Sequence, residues 1–197
     1  MTYVTSLPKG IFSFTPGSEG YRRLLAADSG RYGGGDLLGA VEYGANDGPW
    51  DHPDDFRKLN GVLRWNRGDA GSGLTVTAMG YDGTWSSTDQ IPERAVDEGL
   101  IGRFGTIDPT DGGRSYRYSL AADWRRGTGT ALTRASVYAL RYGLDLFSNF
   151  TYFLDDPENG DQFEQLDDRN IFGGNLRYTM RLAFGGLETE LASGIDI

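Results

Sequence analysis

Side-chain character alternates along much of the chain with a period of two residues. Between residues 169 and 184, for example, Leu176 and Tyr178 alternate with Arg177 and Thr179. Successive side chains of a strand point to opposite faces, so this period predicts a strand with one apolar and one polar face. The same alternation recurs in residues 56–67, 114–126 and 131–154, and in the last of these Tyr138, Leu140 and Tyr142 lie opposite Arg141 and Asp145.

Tight turns and longer loops alternate strictly between the predicted strands. The strands are residues 10–15, 21–29, 36–46, 56–67, 74–85, 114–126, 131–154, 169–184 and 187–197. Turns fall near 30–35, 68–73, 127–129 and 185–186, and loops at 47–55, 86–113 and 155–168. This order predicts an all-β, antiparallel up-and-down meander with every loop at one end of the sheet. Only residues 91–100, inside the longest loop, have a helical period.

Loop length is the first functional clue. The loop 86–113 is far longer than an ordinary hairpin connection, whereas the connections at the other end of the predicted sheet are short. Binding residues are concentrated on loops that a rigid scaffold positions. We therefore expect the end of the sheet that carries the loops to carry the function.

Composition removes several classes of function. The net charge of −9 argues against a nucleic-acid partner, and the absence of cysteine excludes disulfides and cysteine-ligated metals. His52 is the only histidine, so neither a histidine-based triad nor a multi-histidine metal site can form. No nucleophile elbow or phosphate-binding glycine loop occurs. The acidic loop 155–168 has oxygen ligands suited to calcium, but its spacing matches no EF-hand and favours a solvated run of charges. We expect no enzymatic activity, no metal and no cofactor.

The loop asymmetry, the charged face and the rim aromatics together favour an outer-membrane β-barrel in a Gram-negative bacterium. Phe172 and Phe184 end one apolar stripe and are twelve residues apart, roughly 30 Å of height at a tilt near 40°. The expected lipid-facing residues are Tyr118, Leu120, Trp124, Leu176, Tyr178, Met180 and Leu182. The expected lumen-facing residues are Lys58, Arg64, Arg117, Asp123, Arg125, Arg177 and Arg181. The alternation alone fits a soluble sheet with one wet face equally well.

Several segments resemble parts of TonB-dependent outer-membrane receptors. Residues 85–96 (WSSTDQIPERAV), with 99–105 (GLIGRFG) and 108–113 (DPTDGG), are similar to a loop of that family. Three further groups resemble its barrel hairpins: residues 17–23 (GSEGYRR), 47–50 (DGPW) with 57–61 (RKLNG), and 142–152 (YGLDLFSNFTY). The resemblance implies a 22-stranded barrel that is filled by an N-terminal plug domain. It also implies import of a scarce nutrient, such as a siderophore, cobalamin or an oligosaccharide, driven through the TonB complex.

The resemblance covers only part of the family's pattern. No signal peptide, energy-coupling box or complete plug is recognisable, so residues 1–8 are expected to be the last plug strand. Residues 9–197 are then the first eight or nine barrel strands, forming an open, curved sheet whose edges stay unpaired. The TonB complex would act only through the missing plug. The alternatives are a passive outer-membrane channel and a soluble secreted β-sheet module that binds carbohydrate.

A small-molecule nutrient is the expected ligand, and outer-membrane lipid is the other expected partner. The two loops that most resemble the family carry polar and aromatic side chains suited to ligand binding. These candidate ligand-binding residues are Trp50, His52, Asp89, Gln90, Arg94 and Arg103.

Overall fold

The described part of the chain folds into a single antiparallel sheet of nine strands in sequence order. A computed structural model describes residues 6–87, 90–149, 154–185 and 187–197. The strands are β1 (Ile11–Pro16), β2 (Arg22–Tyr32), β3 (Gly35–Asn46), β4 (Phe56–Gly68), β5 (Ser72–Ser86), β6 (Gly112–Thr128), β7 (Ala131–Ser148), β8 (Phe163–Phe184) and β9 (Leu187–Asp196). The short helix α1 (Glu93–Asp97) lies between β5 and β6.

The sheet is open. Among the described residues β1 pairs only with β2, and β9 pairs only with β8, so no ladder joins the first strand to the last. This confirms the predicted all-β antiparallel meander and its unpaired edges. Residues 1–5, most of the predicted plug strand 1–8, lie outside the described residues.

Connection lengths differ between the two ends of the sheet. At the turn end, β2 and β3 are joined by Gly33 and Gly34, whose φ angles of 58° and 75° favour glycine in a two-residue hairpin turn. At the loop end, longer segments join β3 to β4, β5 to β6 and β7 to β8. The three predicted loops therefore lie at one end, because consecutive antiparallel strands reverse direction.

Two predicted boundaries around the acidic loop are wrong. The strand predicted to run to residue 154 ends at Ser148, and the strand predicted to begin at residue 169 begins at Phe163. Asp167 and Asp168 therefore lie on β8, where Arg169 and Arg141 respectively form ion pairs with them. Local charge density predicted a loop, but ladder hydrogen bonds to β7 and these cations support a strand. The helix is also shorter than the predicted 91–100.

The strand register divides the side chains between two faces, since residues paired across antiparallel strands point to the same side. We call them the apolar face and the polar face. The apolar face carries, from β1 to β9, Phe12, Phe14, Leu24, Val41, Tyr43, Leu59, Leu63, Trp65, Val76, Leu120, Trp124, Val137, Phe172, Leu176, Leu182, Leu191 and Ile195. The polar face carries most of the charged residues of the strands, among them Arg23, Glu42, Lys58, Arg64, Arg117, Arg134 and Arg177.

β7 faces differently from what its own pattern indicates. Pairing with β6 and β8 places Tyr138, Leu140 and Tyr142 on the polar face and Arg141 on the apolar face. Leucine and tyrosine at alternate positions indicated an apolar face, but the register with two neighbours decides which side a strand presents. Arg141 lies near the loop end, where Asp168 is within 3.2 Å of its guanidinium.

Exposure is inverted relative to an ordinary water-soluble domain. Leu59 and Leu63 on the apolar face are each 52% exposed, whereas Lys58 and Asn60, which flank Leu59 on the polar face, are half-buried. Among the described residues only Leu38, Ala45 and Ala95 are buried hydrophobic side chains. The described part of the sheet thus has no apolar core of its own. No described helix has the length and apolar character needed to cross a membrane.

Candidate functional site: the loop end and the two faces of the sheet

The loop between β3 and β4 is held in shape by bonds to Asp54. Its carboxylate accepts a hydrogen bond from Trp50 Nε1 at 2.8 Å, and its backbone N–H donates to the carbonyl of Asp47 at 2.9 Å. Its own carbonyl accepts a 2.6 Å bond from the N–H of Ser86, the last residue of β5. Burial raises the pKa of Asp54, and the bond from Trp50 opposes that rise only in part.

This loop contacts the loop between β5 and β6 through an aromatic pair. The rings of Trp50 and Phe104 have centroids 6.2 Å apart and are inclined by 52°, and the Asp51 N–H donates to the Phe104 carbonyl at 3.0 Å. Phe104 remains 49% exposed. The pair therefore presents part of an aromatic surface to solvent at the loop end. Sequence reasoning selected Trp50 but missed Phe104, although its segment GRFG was already part of the resemblance.

The other predicted ligand-binding residues surround this pair without forming one cluster. His52, Gln90, Arg94 and Arg103 are exposed, and Arg94 lies on α1. Asp89 lies outside the described residues. The structure therefore brings Trp50 to a defined partner, while the other four described candidates remain solvated side chains on the same two loops.

A second contact joins the loop between β5 and β6 to the loop between β7 and β8. Asp108 accepts hydrogen bonds from Asn149 Nδ2 at 2.9 Å and Gln162 Nε2 at 3.4 Å. Gln162 Nε2 also lies 2.7 Å from Thr110 Oγ1 and 3.0 Å from Asp111 Oδ1. Burial raises the pKa of Asp108, but the bonds from Asn149 and Thr110 outweigh burial and lower it overall. Sequence reasoning missed this contact because residues far apart in the chain form it.

The acidic residues after β7 bond to their own backbone. Asp161 accepts hydrogen bonds from the backbone N–H groups of Leu154, Asp155 and Asp156 at 2.6, 3.0 and 2.7 Å. Asp156 accepts the N–H groups of Glu158 and Asn159. The bond from the Glu158 N–H to Asp156 has the form of an Asx turn, whereas Asp161 accepts from residues five to seven positions before it. In the part of the chain that the structure describes, no three metal-ligating side chains come together.

The register separates the two groups of residues predicted to face lipid and lumen. Every predicted lumen-facing residue (Lys58, Arg64, Arg117, Asp123, Arg125, Arg177 and Arg181) lies on the polar face. Every predicted lipid-facing residue (Tyr118, Leu120, Trp124, Leu176, Tyr178, Met180 and Leu182) lies on the apolar face. Whether the two faces meet lumen and lipid stays a prediction.

Charges at the loop side of the polar face neutralise one another. Glu42 on β3 accepts a 2.7 Å hydrogen bond from Arg23 Nε, and Lys58 Nζ lies 2.8 Å from its other carboxylate oxygen. Asn60 Nδ2 is 3.4 Å from that second oxygen. A groove of about 470 Å³ lies beside this network and is also lined by Tyr81 and Arg117.

These features define the class of the protein: an all-β chain forming one open antiparallel meander, with an exposed apolar face and two interlocked loop contacts at one end. No protein-family model, no curated protein sequence and no solved structure matches the chain.

Proposed function

We propose that the chain forms part of the wall of an outer-membrane β-barrel that transports a small nutrient. The observation that carries this proposal is the exposure of the apolar face. Soluble monomers rarely expose contiguous apolar patches larger than a few hundred Å². Here large apolar side chains cover one face from Phe12 on β1 to Ile195 on β9. If the polar face lines an aqueous interior, the apolar face must be covered by lipid.

The position of the apolar stripe along successive strands also supports a membrane wall. On β4 the apolar stripe begins, at the loop side, with Leu59. The row of successively paired residues that runs across the sheet from Leu59 reaches β8 at Asp168. On β8 the stripe begins at Phe172, four residues further toward the turn end. From β1 to β4 the stripe stays in one row of paired residues, Phe14, Leu24, Tyr43 and Leu59, so the shift arises between β4 and β8, where it averages about one residue per strand. In that part of the sheet it corresponds to strands tilted by roughly 35° from the normal of a flat apolar layer. Strands of outer-membrane barrels tilt by about 35–45°.

The open edges support the proposal that further strands complete the barrel. An unpaired strand edge presents free N–H and C=O groups, which cannot stay unsatisfied in lipid. The polar face carries many charges, and a closed nine-stranded barrel would have an interior too narrow to hydrate them. A wider barrel, such as the 22-stranded TonB-dependent receptor that the sequence resembles, satisfies both requirements.

The loop end supports ligand binding as the role of the wall. Trp50 and Phe104 give an exposed aromatic surface, and Arg94, Arg103 and His52 provide cationic or hydrogen-bonding groups on the same two loops. Both loops are fixed by contacts to each other and to β5. This arrangement suits capture of a small nutrient before energy-dependent import, with no catalysis.

The membrane assignment is tested by Leu176→Arg and its neighbour Arg177→Ala, whose side chains point to opposite faces. An arginine that faces lipid near the bilayer midplane is expected to cost about 2–4 kcal/mol, whereas Arg177→Ala is expected to cost little. The measurement is the free energy of unfolding of the protein refolded in phospholipid bilayers. Equal costs at both positions would show that the apolar face does not meet lipid.

The transport assignment is tested separately in the organism that makes the protein. Trp50→Ala and Arg94→Ala are expected to reduce uptake of the nutrient without lowering the amount of protein in the outer membrane. A proton uncoupler should abolish uptake by an active receptor but leave uptake by a passive channel intact. Unchanged uptake with both variants present at normal abundance would exclude these loops as the ligand site.

A further inference from the structure

Three arginines lie side by side on the polar face near the turn end. Arg125 on β6 pairs with Arg134 on β7, which pairs with Arg177 on β8. We call this set the arginine row. Neighbouring strands are about 4.8 Å apart, so the row extends roughly 10 Å across the sheet. Like charges that lie directly opposite each other destabilise a sheet, so the row does not serve the stability of the sheet itself.

Two members of the arginine row, Arg134 and Arg177, have no carboxylate partner among the described residues, unlike several other cations of the polar face. Arg23 and Lys58 share Glu42, and Arg181 lies 3.7 Å from Glu190. Among the residues that the structure describes, no carboxylate lies within 4.0 Å of Arg134 or Arg177. The chain as a whole is acidic, with 28 Asp and Glu against 19 Lys and Arg, so a shortage of carboxylates does not explain this.

One member of the row is held in place without being neutralised. Arg125 Nε donates a 2.7 Å hydrogen bond to the backbone carbonyl of Asp69, in the turn between β4 and β5. A carbonyl oxygen positions a guanidinium, and the nearby Asp69 carboxylate offsets its positive charge only in part, without a direct ion pair among the described residues. The remaining donors of Arg125 stay available to a group that carries negative charge.

A groove of about 530 Å³ adjoins the row. Its lining includes Arg64, Asp123, Arg125, Arg134, Ser136 and Asn175. Asn175 Nδ2 donates to Ser136 Oγ at 2.7 Å, which leaves the hydroxyl hydrogen of Ser136 free to point into the groove. Asp123 is the one carboxylate of the lining and lies one row closer to the loop end than Arg125 and Arg134. The volume lies in the range of small-molecule sites.

We propose that this groove binds a small polyanion that carries two or more phosphate or carboxylate groups. Guanidinium groups bind such oxyanions through paired hydrogen bonds, and Arg125 and Arg134, which line the groove on two adjacent strands, can hold groups that are several ångströms apart. The hydroxyl of Ser136 adds a neutral donor. This site is distinct from the aromatic surface at the loop end, and its occupancy does not depend on the transport role proposed above.

The test is a calorimetric titration of the full-chain protein in detergent micelles with inorganic pyrophosphate and, separately, with citrate. We expect saturable binding, and Arg134→Gln should weaken it at least tenfold. Arg134→Lys should recover only part of the affinity, because lysine keeps the charge but loses the bidentate geometry. Circular dichroism should show all variants folded, since Arg134→Gln removes a repulsive charge.

Arg181→Gln is the matched control, because Arg181 lies on the same face and strand as Arg177 but already faces Glu190. It should leave the affinity within about twofold of the unchanged protein. An equal loss in both glutamine variants would overturn the proposal in favour of general charge attraction. It would also be overturned if neither anion bound, if only vesicles containing phosphatidylglycerol bound, or if only an acidic peptide such as hexaglutamate bound.

Discussion

Asp54 shows how one side chain sets the geometry of the loop end. It joins Trp50 to the backbone of its own loop and, through its carbonyl, joins that loop to β5. Trp50 then meets Phe104 from the next loop. The half-buried carboxyl of Asp54 therefore positions the Trp50 ring, and the orientation of the proposed ligand surface depends on it.

We expect Asp54 to titrate above the ordinary aspartate range and Asp69 below it. Burial favours the neutral form of Asp54, whereas backbone N–H groups of Ser72 and Gly71 stabilise the charged form of Asp69. The folded chain binds the Asp54 proton more tightly than the unfolded chain. The Asp54 contribution to stability should therefore decline as the pH rises through its raised pKa. The Asp69 contribution should be present above its unfolded pKa and be lost as the pH falls through its lowered value.

Carboxyl ¹³C shifts measured against pH would show directly whether the pKa of Asp54 lies above that of Asp69. The two residues serve as internal references for each other. Trp50→Phe should raise the pKa of Asp54 further, because it removes the indole hydrogen bond that favours the charged carboxylate. An Asp54 midpoint at or below that of Asp69 would contradict the burial of the Asp54 carboxyl described for this loop.

At the scale of elements, loops that are distant in sequence stabilise one another at the loop end. The loop between β5 and β6 contributes Asp108, and the loop between β7 and β8 contributes Asn149 and Gln162. Asn149 is only 1% exposed, so its bond to Asp108 is shielded from water. Shielded hydrogen bonds contribute more than solvated ones, because breaking one leaves a buried polar group unsatisfied.

Asp108→Ala should therefore loosen both loops, whereas Asp156→Ala should loosen only the loop before β8. Asp156 is a suitable control because the hydrogen bonds of its carboxylate, from Glu158 and Asn159, stay within its own loop. Amide hydrogen exchange in residues 105–111 and 154–162 would measure the effect. Equal exchange in residues 105–111 for both variants would show that the contact between the loops carries no stability.

At the scale of the whole molecule, the sheet exposes both an apolar face and two strand edges. Neither feature is stable in water alone, because free edges template pairing with other chains and exposed apolar area favours association. The same two features are compatible in a membrane wall, where lipid covers the face and further strands cover the edges.

Engineered cysteine pairs would test whether the edges are open, and because the sequence has no native cysteine, no other thiol can form a competing disulfide. Ser13→Cys on β1 with Leu25→Cys on β2 should form a disulfide, because the two positions are paired in the register. Ser13→Cys combined with a cysteine at Glu190, Ala192 or Asp196 on β9 should not. Efficient cross-linking between β1 and β9 in membranes would mean that the nine strands close on themselves.

The sequence by itself determined the class of fold and the separation of charged from apolar side chains on most strands. A period of two residues and a strict alternation of turns and loops are local properties, so residues such as Leu176 and Arg177 could be assigned to opposite faces without coordinates. The candidate loops were also visible, because Trp50 and Arg94 lie in long connections between strong strand patterns. Their ligand-binding role stays a prediction.

Only the tertiary structure decided features that depend on the neighbours of a segment. Register with β6 and β8 turned Tyr138 and Leu140 of β7 to the polar face, against the pattern of β7 itself. Ladder pairing extended β8 back to Phe163 through residues whose charge had predicted a loop. The partnership of Trp50 with Phe104 likewise joins residues more than fifty positions apart. Side-chain periodicity indicates which residues of a strand share a face. Pairing with the neighbouring strands decides to which side of the sheet that face points and which loops meet.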